Sequence, residues 1–383
     1  MPAREVLVVP TEVAVVGGGV IGLSLAARLA DDGVDVTVVD DAPGSGATGV
    51  AAGMLAPVTE VHYGEESLLK LNLASNEMYP DWVAALEEET GKITGYRRCG
   101  TVMVARDTDD NRALDDIFRF QVGLGLSVQR LKARECRELE PALAPSVRSG
   151  ILVEGDHQVD PQALAGALSV SCSLRGVRFV RSRALSLAVT GGRARGVTLM
   201  GGAHLQADGV VVAAGAWSGV LAGVEEVLPV RPVKGQLVRL SPRHQIRPME
   251  HNIRGLDVYL VPRADGRLVV GATVEEMGFE GSVTSGAVHD LLRDAYELVP
   301  GIAELGFDGA LAGFRPGTPD NAPFIGATEI EGLVAATGHY RNGVLLAPVT
   351  ADAVARLIAS GDVGDVARPF SPLRVRAGRE VHP

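Results

Sequence analysis

The segment "VAVVGGGVIGLSLAARLADDGVDVTVVDD", residues 13–41, constrains the fold more than any other stretch of the chain. A short apolar run, 13–16, ends in Gly17-x-Gly19-x-x-Gly22. The pattern "LSLAARLADDG" then puts Leu25, Leu29 and small residues on one helical face, and Gly33 stops the helix. "VDVTVVD" follows as a second apolar run. Strand, glycine turn, helix and strand in under thirty residues predict a β-α-β unit whose strands are buried and parallel. The first glycine permits the tight turn, the second lets backbone approach a pyrophosphate, and the third lets helix and strand pack closely. Val20 and Ile21 would present the helix N-terminus to the phosphates. Asp40 ends the second strand, placed to accept both ribose hydroxyls and to repel a 2′-phosphate, which disfavours NADP. This unit alone leaves flavin and nicotinamide both open.

Three further stretches of small residues bear on that choice. Residues 46–57, "GATGVAAGMLAP", follow the acid directly, and "VVVAAGAWS" (210–218) and "ATGHYRNGVLLAP" (336–348) each follow or end an apolar run. Together they would line an extended flat ligand, and they favour a buried FAD.

The rest of the chain predicts alternation. Residues 65–89 carry Leu68, Leu71, Met78, Trp82 and Leu86 at near-helical spacing, an amphipathic helix. "CGTVMVARD" is predicted as a strand, and 109–124 and 133–139 as helices. "VDPQALAGAL" has Asp160 as N-cap and Pro161 at the first helical position. "GVRFV" and "GVVVAAGAWS" are short strands. "QLVRL", "VYLVPR" and "RLVVGAT" make 236–273 strand-rich. A helix is expected over 289–299, and a strand, turn and terminal helix from Gly332 onward. From Val366 the tail, with Arg368, Arg374, Arg376 and Arg379, is expected to be loose. Such a pattern fits one domain interrupted by another.

Bulk properties set the outer limits. The chain has 383 residues, enough for two domains. A net charge of -11 without a basic patch excludes a nucleic-acid binder. No apolar run is long enough to span a bilayer, and the first residues lack the order of a signal peptide. Three cysteines, Cys99, Cys136 and Cys172, are too few and too widely spaced for a disulfide framework or a C-x-x-C metal site, so no metal and a reducing cytoplasm are expected.

"GGGVIGLSLAARLA", "AAGMLAP", "YLVPR…GRLVVGAT", "GFRPGTPDNAPFIG" and "GHYRNGVLLAP" resemble the FAD-dependent glycine oxidases of thiamine biosynthesis, in the D-amino-acid oxidase and sarcosine oxidase superfamily. The likeness runs from Val13 to about Ser360. It implies a mixed α/β fold: a discontinuous Rossmann-like FAD domain (1–90, 140–225, 316–365), an antiparallel-sheet substrate domain (91–139, 226–315), and a tail (366–383). It implies oxidation of glycine to an imine, with O2 reoxidising the flavin to give H2O2, and a homotetramer. It puts the substrate carboxylate on Arg315, a type suited to a bidentate grip. Tyr259 would add a hydroxyl, and Arg341 would support the site beside the flavin. The flavin itself would be held by Gly17, Gly19, Val20, Ile21, Gly22, Asp40, Ala47, Thr48, Ala52, Gly53, Met54, Gly215, Gly338, His339, Arg341, Asn342, Gly343 and Val344. His339 can equally be a loop histidine satisfied locally, and His157 reads as structural. No cysteine lies in the C-terminal flavin loop, so FAD is expected to be noncovalent. Two departures stand out. Asp41 occupies a position that is basic in many relatives and adds negative charge near the ribose. Val274 replaces the Met of some glycine oxidases and enlarges the pocket. The alternatives are a broader D-amino-acid or sarcosine oxidase or dehydrogenase, and an FAD-binding subunit of a hetero-oligomer.

Overall fold

The computed structural model describes residues 11–243 and 249–377. The glycine unit folds as strand β1 (Glu12–Val16), helix α1 (Val20–Asp31) and strand β2 (Asp35–Val39). Residues Val13–Val16 and Val36–Val39 are all buried, as parallel strands covered on both faces require. β1 sits between β2 and the strand Gly209–Val212, both parallel to it. The full sheet has six strands, extended by Arg178–Val180 beyond β2 and by Leu333–Thr337 and Phe324–Ala327 beyond Gly209–Val212. Only Phe324–Ala327 runs antiparallel to its neighbour.

Helices cover one face of this sheet. α1 packs with Pro161–Leu174, Glu66–Thr90 and Ala347–Ser360 into one apolar core containing Leu25, Leu71, Tyr79, Leu168 and Val354. The expected N-cap is present: Asp160 accepts the backbone N–H groups of Gln162 and Ala163. In Glu66–Thr90 the inner stripe differs from expectation. Met78 is exposed, while Tyr79 and Val83 are buried beside Leu71, Ser75 and Leu86. Polar tips decide that register: Ser75 Oγ donates to Leu345 O (2.6 Å) and Tyr79 Oη to Val344 O (3.1 Å).

The opposite face carries a three-stranded antiparallel sheet, Ala184–Thr190, Arg193–Leu199 and His204–Gln206, which the sequence did not predict. Leu187, Val197 and Leu199 pack on Val16, Val39 and Val212.

A second sheet of eight strands lies beside the first. Its order is Gly306–Gly317, Arg231–Ser241, Leu268–Gly271, Tyr259–Pro262, Asn252–Arg254, Thr101–Ala105, Ser149–Val153 and Gln129–Lys132. Its pairs are antiparallel except Asn252–Arg254 with Thr101–Ala105. Ser285–Leu298 packs against its outer face through Leu291, Ala295 and Leu298. The expected boundary at residue 140 needs correction. Ser149–Val153 belongs to this second sheet, paired in full with Thr101–Ala105, so the first sheet resumes only afterwards.

The tail also differs from expectation. Residues 368–370 and 374–377 are helical turns. Arg374 pairs with Asp320 at 2.8 Å, donates to Ala322 O at 2.8 Å, and lies 4.5 Å over the Phe324 ring. A guanidinium with those partners fastens the tail down to residue 374; Arg379 lies outside the described residues.

Candidate active site

One cavity of ≈ 1010 Å³ runs from the glycine turn to the inner face of the second sheet. That is the upper end of the usual range for small-ligand sites, roughly 300–1,000 Å³. Its two ends are made of different material.

At the glycine end the walls are backbone. Gly17 has φ 110°, and a Cβ there would stand 2.4 Å from Ala213 O. A Cβ on Gly22 would stand 1.9 Å from Gly17 O, so helix and turn touch where that glycine lies. Gly19 is the N-cap of α1 and has no side chain to cap the first turn. Thr48 Oγ1 takes the Val20 N–H at 3.0 Å; the remaining first-turn N–H groups and the positive helix end are left for an anion. Asp40 accepts the Gly18 N–H at 2.6 Å and the Ala42 N–H at 2.7 Å, which locks the turn to the end of β2. Asp41, expected to add negative charge near the ribose, pairs with Arg183 at 3.0 Å.

All three small-residue stretches reach this cavity. Gly17, Gly19, Val20, Ile21, Asp40, Ala47, Thr48, Ala52, Gly53, Met54, Gly215, His339, Arg341, Asn342, Gly343 and Val344 line it. Gly22 and Gly338 do not. They serve packing, since a Cβ on Gly338 would meet Thr318 Cγ2 at 2.4 Å. His339 lines the cavity but is buried, with Nε2 3.0 Å from Thr350 Oγ1, and burial pushes its pKa down to about 3. His157 is buried in a two-residue strand away from the cavity. A residue the sequence reading missed ties this end to the second sheet. Buried Arg263 donates to Ala52 O (2.6 Å), Val159 O (3.0 Å) and Gln158 Oε1 (2.8 Å).

At the other end the walls are side chains. Arg315 lies near the end of the strand Gly306–Gly317, and its Nη1 donates to Thr273 O at 2.9 Å. Tyr259 opens the strand Tyr259–Pro262. Both rest on glycines: a Cβ on Gly235 would meet Arg315 Nη1 at 2.3 Å, and one on Gly271 would meet Tyr259 Oη at 2.5 Å. Burial raises the Tyr259 pKa, against the pull of Arg315 and Arg254, so the phenol keeps its proton and can donate. Arg341 pairs with Glu60 (3.1 Å) and Glu65 (2.6 Å). Arg254, another residue missed from sequence, pairs with Glu60.

The guanidiniums are therefore unequal. Arg183, Arg254 and Arg341 line the cavity with carboxylate partners. Arg315 also lines it, and among the described residues it has no carboxylate partner; its bonds go to backbone carbonyls. The cavity's acids are likewise engaged: Asp40 with backbone N–H groups, Asp41 with Arg183, Glu60 with Arg254 and Arg341, and Asp257 with Arg106 at 3.6 Å. Val274 lines the cavity next to Thr273, and Cys99, Cys136 and Cys172 do not. The residues fit a dinucleotide at the glycine end, with a small anionic group held at Arg315.

The chain is similar along most of its length to known proteins. The profile of the family described as DAO, FAD dependent oxidoreductase, matches residues 12–357. The bifunctional protein ThiO/ThiG of Synechocystis is 36% identical over 371 residues, covering 95% of this chain. The chain spans about half the length of that relative, 54%. The glycine oxidase of Geobacillus kaustophilus is 34% identical over 371 residues, covering 95% of this chain and 97% of its own. A crystal structure of glycine oxidase from Geobacillus kaustophilus superposes with a TM-score of 0.88 at 33% identity, covering 95% of this chain and 98% of that one.

Proposed function

The chain belongs to the DAO family of FAD-dependent oxidoreductases, and from that premise we propose that it oxidises glycine, using O2 as electron acceptor. The reading extends to small relatives of glycine such as sarcosine, since Val274 leaves the wall beside Thr273 short. The observation that carries it is Arg315: a guanidinium in the cavity without a carboxylate partner, beside a protonated Tyr259. An amino-acid carboxylate is the group that such a pair would hold.

FAD supplies the hydride acceptor and the reaction with O2. The chain's own residues do the rest. Asp40, the first turn of α1 and the 46–54 stretch would hold the dinucleotide, with no cysteinyl thioether to it, since no cysteine lines the cavity. Arg315 and Tyr259 would fix the carboxylate by charge-assisted bonds of about 1.5–3 kcal/mol each and so orient the α-carbon. The engagement of every acid lining the cavity supports a reaction in which no side-chain carboxylate removes the α-proton. The substrate amine, once neutral, assists hydride departure with its own lone pair, and the imine leaves.

The similarity to a bifunctional ThiO/ThiG protein supports a role as supplier of that imine to thiamine thiazole synthesis. Three free thiols are consistent with a reducing cytoplasm. A homotetramer completes the reading, by analogy with the resemblance stated above.

Oxygen uptake and peroxide release by the purified chain, measured against glycine, sarcosine and small D-amino acids, test the substrate. Arg315→Ala should raise KM for glycine at least tenfold with the bound-flavin spectrum unchanged; an unchanged KM overturns the assignment.

A further inference from the structure

Glu60 lies between two guanidiniums. Arg254 Nη1 donates to its Oε1, and Arg341 Nε stands 3.1 Å from its Oε2. The side chains of Glu60, Arg254 and Arg341 are only 14%, 17% and 18% exposed. All three line the cavity that holds Arg315 and Tyr259. Glu65 accepts from Arg341 Nη2 at 2.6 Å.

The charges of this cluster nearly cancel. Arg254, Arg315 and Arg341 are three cations, and Glu60 and Glu65 are two anions. One positive charge remains, at Arg315, and a single carboxylate neutralises it. A second carboxylate would need a second vacant guanidinium. Arg254 is the candidate. It reaches the cavity, and among the described residues it has no acid other than Glu60 in an ion pair. Glu60 already fills that position.

We propose that Glu60 is a specificity-determining residue: its carboxylate occupies on Arg254 and Arg341 the place that the second carboxylate of a dicarboxylic or N-carboxymethyl amino acid would take, and so confines the site to substrates with one carboxylate. This rests on Arg315 as the anchor of the first carboxylate. Breaking one partner out of a buried ion pair leaves an uncompensated charge, and here that charge faces a ligand cavity.

The test is equilibrium binding to the FAD-loaded enzyme of acetate, a monoanion, and malonate, a dianion. Glu60→Gln keeps the size of the side chain and removes its charge. It should bind malonate at least tenfold more tightly than the unaltered enzyme, with acetate changed less than twofold. A parallel shift of both ligands, or no shift, overturns the proposal, because a merely structural Glu60 would not separate them. The double change Glu60→Gln/Arg254→Gln removes the pair together and keeps the net charge. It should show the original selectivity, and a gain in malonate there overturns Arg254 as the second site, whether or not the single variant folds. Failure of the unaltered enzyme to bind acetate, or retention of acetate by Arg315→Ala, sinks the anchor itself. That result is distinguishable from a failure confined to Glu60.

Discussion

The two ends of the cavity are built by opposite means. Around the glycine turn, recognition is entrusted to main chain: Gly17, Gly19, the first turn of α1 and the small residues of 46–54 leave little but peptide groups on the wall. Around Arg315 it is entrusted to long side chains, Arg315, Tyr259, Arg254, Arg341 and Glu60, each braced by a neighbour. The first kind depends on residues close in sequence and tolerates no extra atom. The second depends on charges brought together from distant strands, and it can be retuned one residue at a time.

Substitutions should respond accordingly. The largest effect is expected at Gly22, whose added Cβ would lie 1.9 Å from backbone oxygen. Gly22→Ala should lower unfolding stability by about 3 kcal/mol or more. Gly19→Ala, whose Cβ would meet only Thr48 Oγ1 at 3.3 Å, should change it by no more than about 0.5 kcal/mol and should weaken FAD binding instead. Denaturant unfolding of the FAD-free proteins, paired with FAD titration, separates them; equal loss of stability would show that both glycines serve packing.

Next in size is Gly235→Ala, where the new methyl would press on Arg315 Nη1, 2.3 Å away. Because the guanidinium is the far end of a flexible chain, the fold should survive and KM for glycine should rise about tenfold, or ~1.4 kcal/mol, with flavin retained. Loss of flavin in this variant would erase the contrast between the two ends.

The smallest effect concerns His339, the histidine on the loop that both ends share. Its folded pKa is depressed to about 3 by burial, so the folded state binds fewer protons than the unfolded one. The stability it contributes is therefore present above about pH 6.5 and is lost as pH falls from there towards 3. At pH 6 the loss is about 0.8 kcal/mol by that linkage. His339→Gln should flatten the change in Tm between pH 7.5 and pH 6 at matched FAD saturation; an identical slope would remove His339 as its source.

The same contrast explains what could be read in advance. β1, α1 and β2 were legible because glycine spacing, apolar periodicity and the terminal acid lie within thirty residues. Asp160 and Pro161 were legible for the same local reason. Arg254 and Glu60 were not: they stand 194 positions apart in the chain, and each alone is an ordinary loop or strand charge. Arg263 hid in the same way, inside the strand-like "VYLVPR". The sheet over 184–206 escaped because its middle strand is broken by Arg193, Arg195 and Gly196 and its last strand is only three residues long, and its packing on β1 and β2 is not visible in the sequence. The anchoring of the tail is not legible because nothing in "ARPFSPLR" shows that Asp320 awaits Arg374.

The order of the six-stranded sheet has a consequence for synthesis of the chain. β1 emerges from the ribosome first, yet one of its neighbours is Gly209–Val212, and the next strand out is Leu333–Thr337. The phosphate turn thus lacks its full sheet until residues 333–337 exist, with Arg315 made just before that strand and Arg341 just after it. A complete cofactor site therefore requires residues far along the chain, by which point every strand of the second sheet has been made.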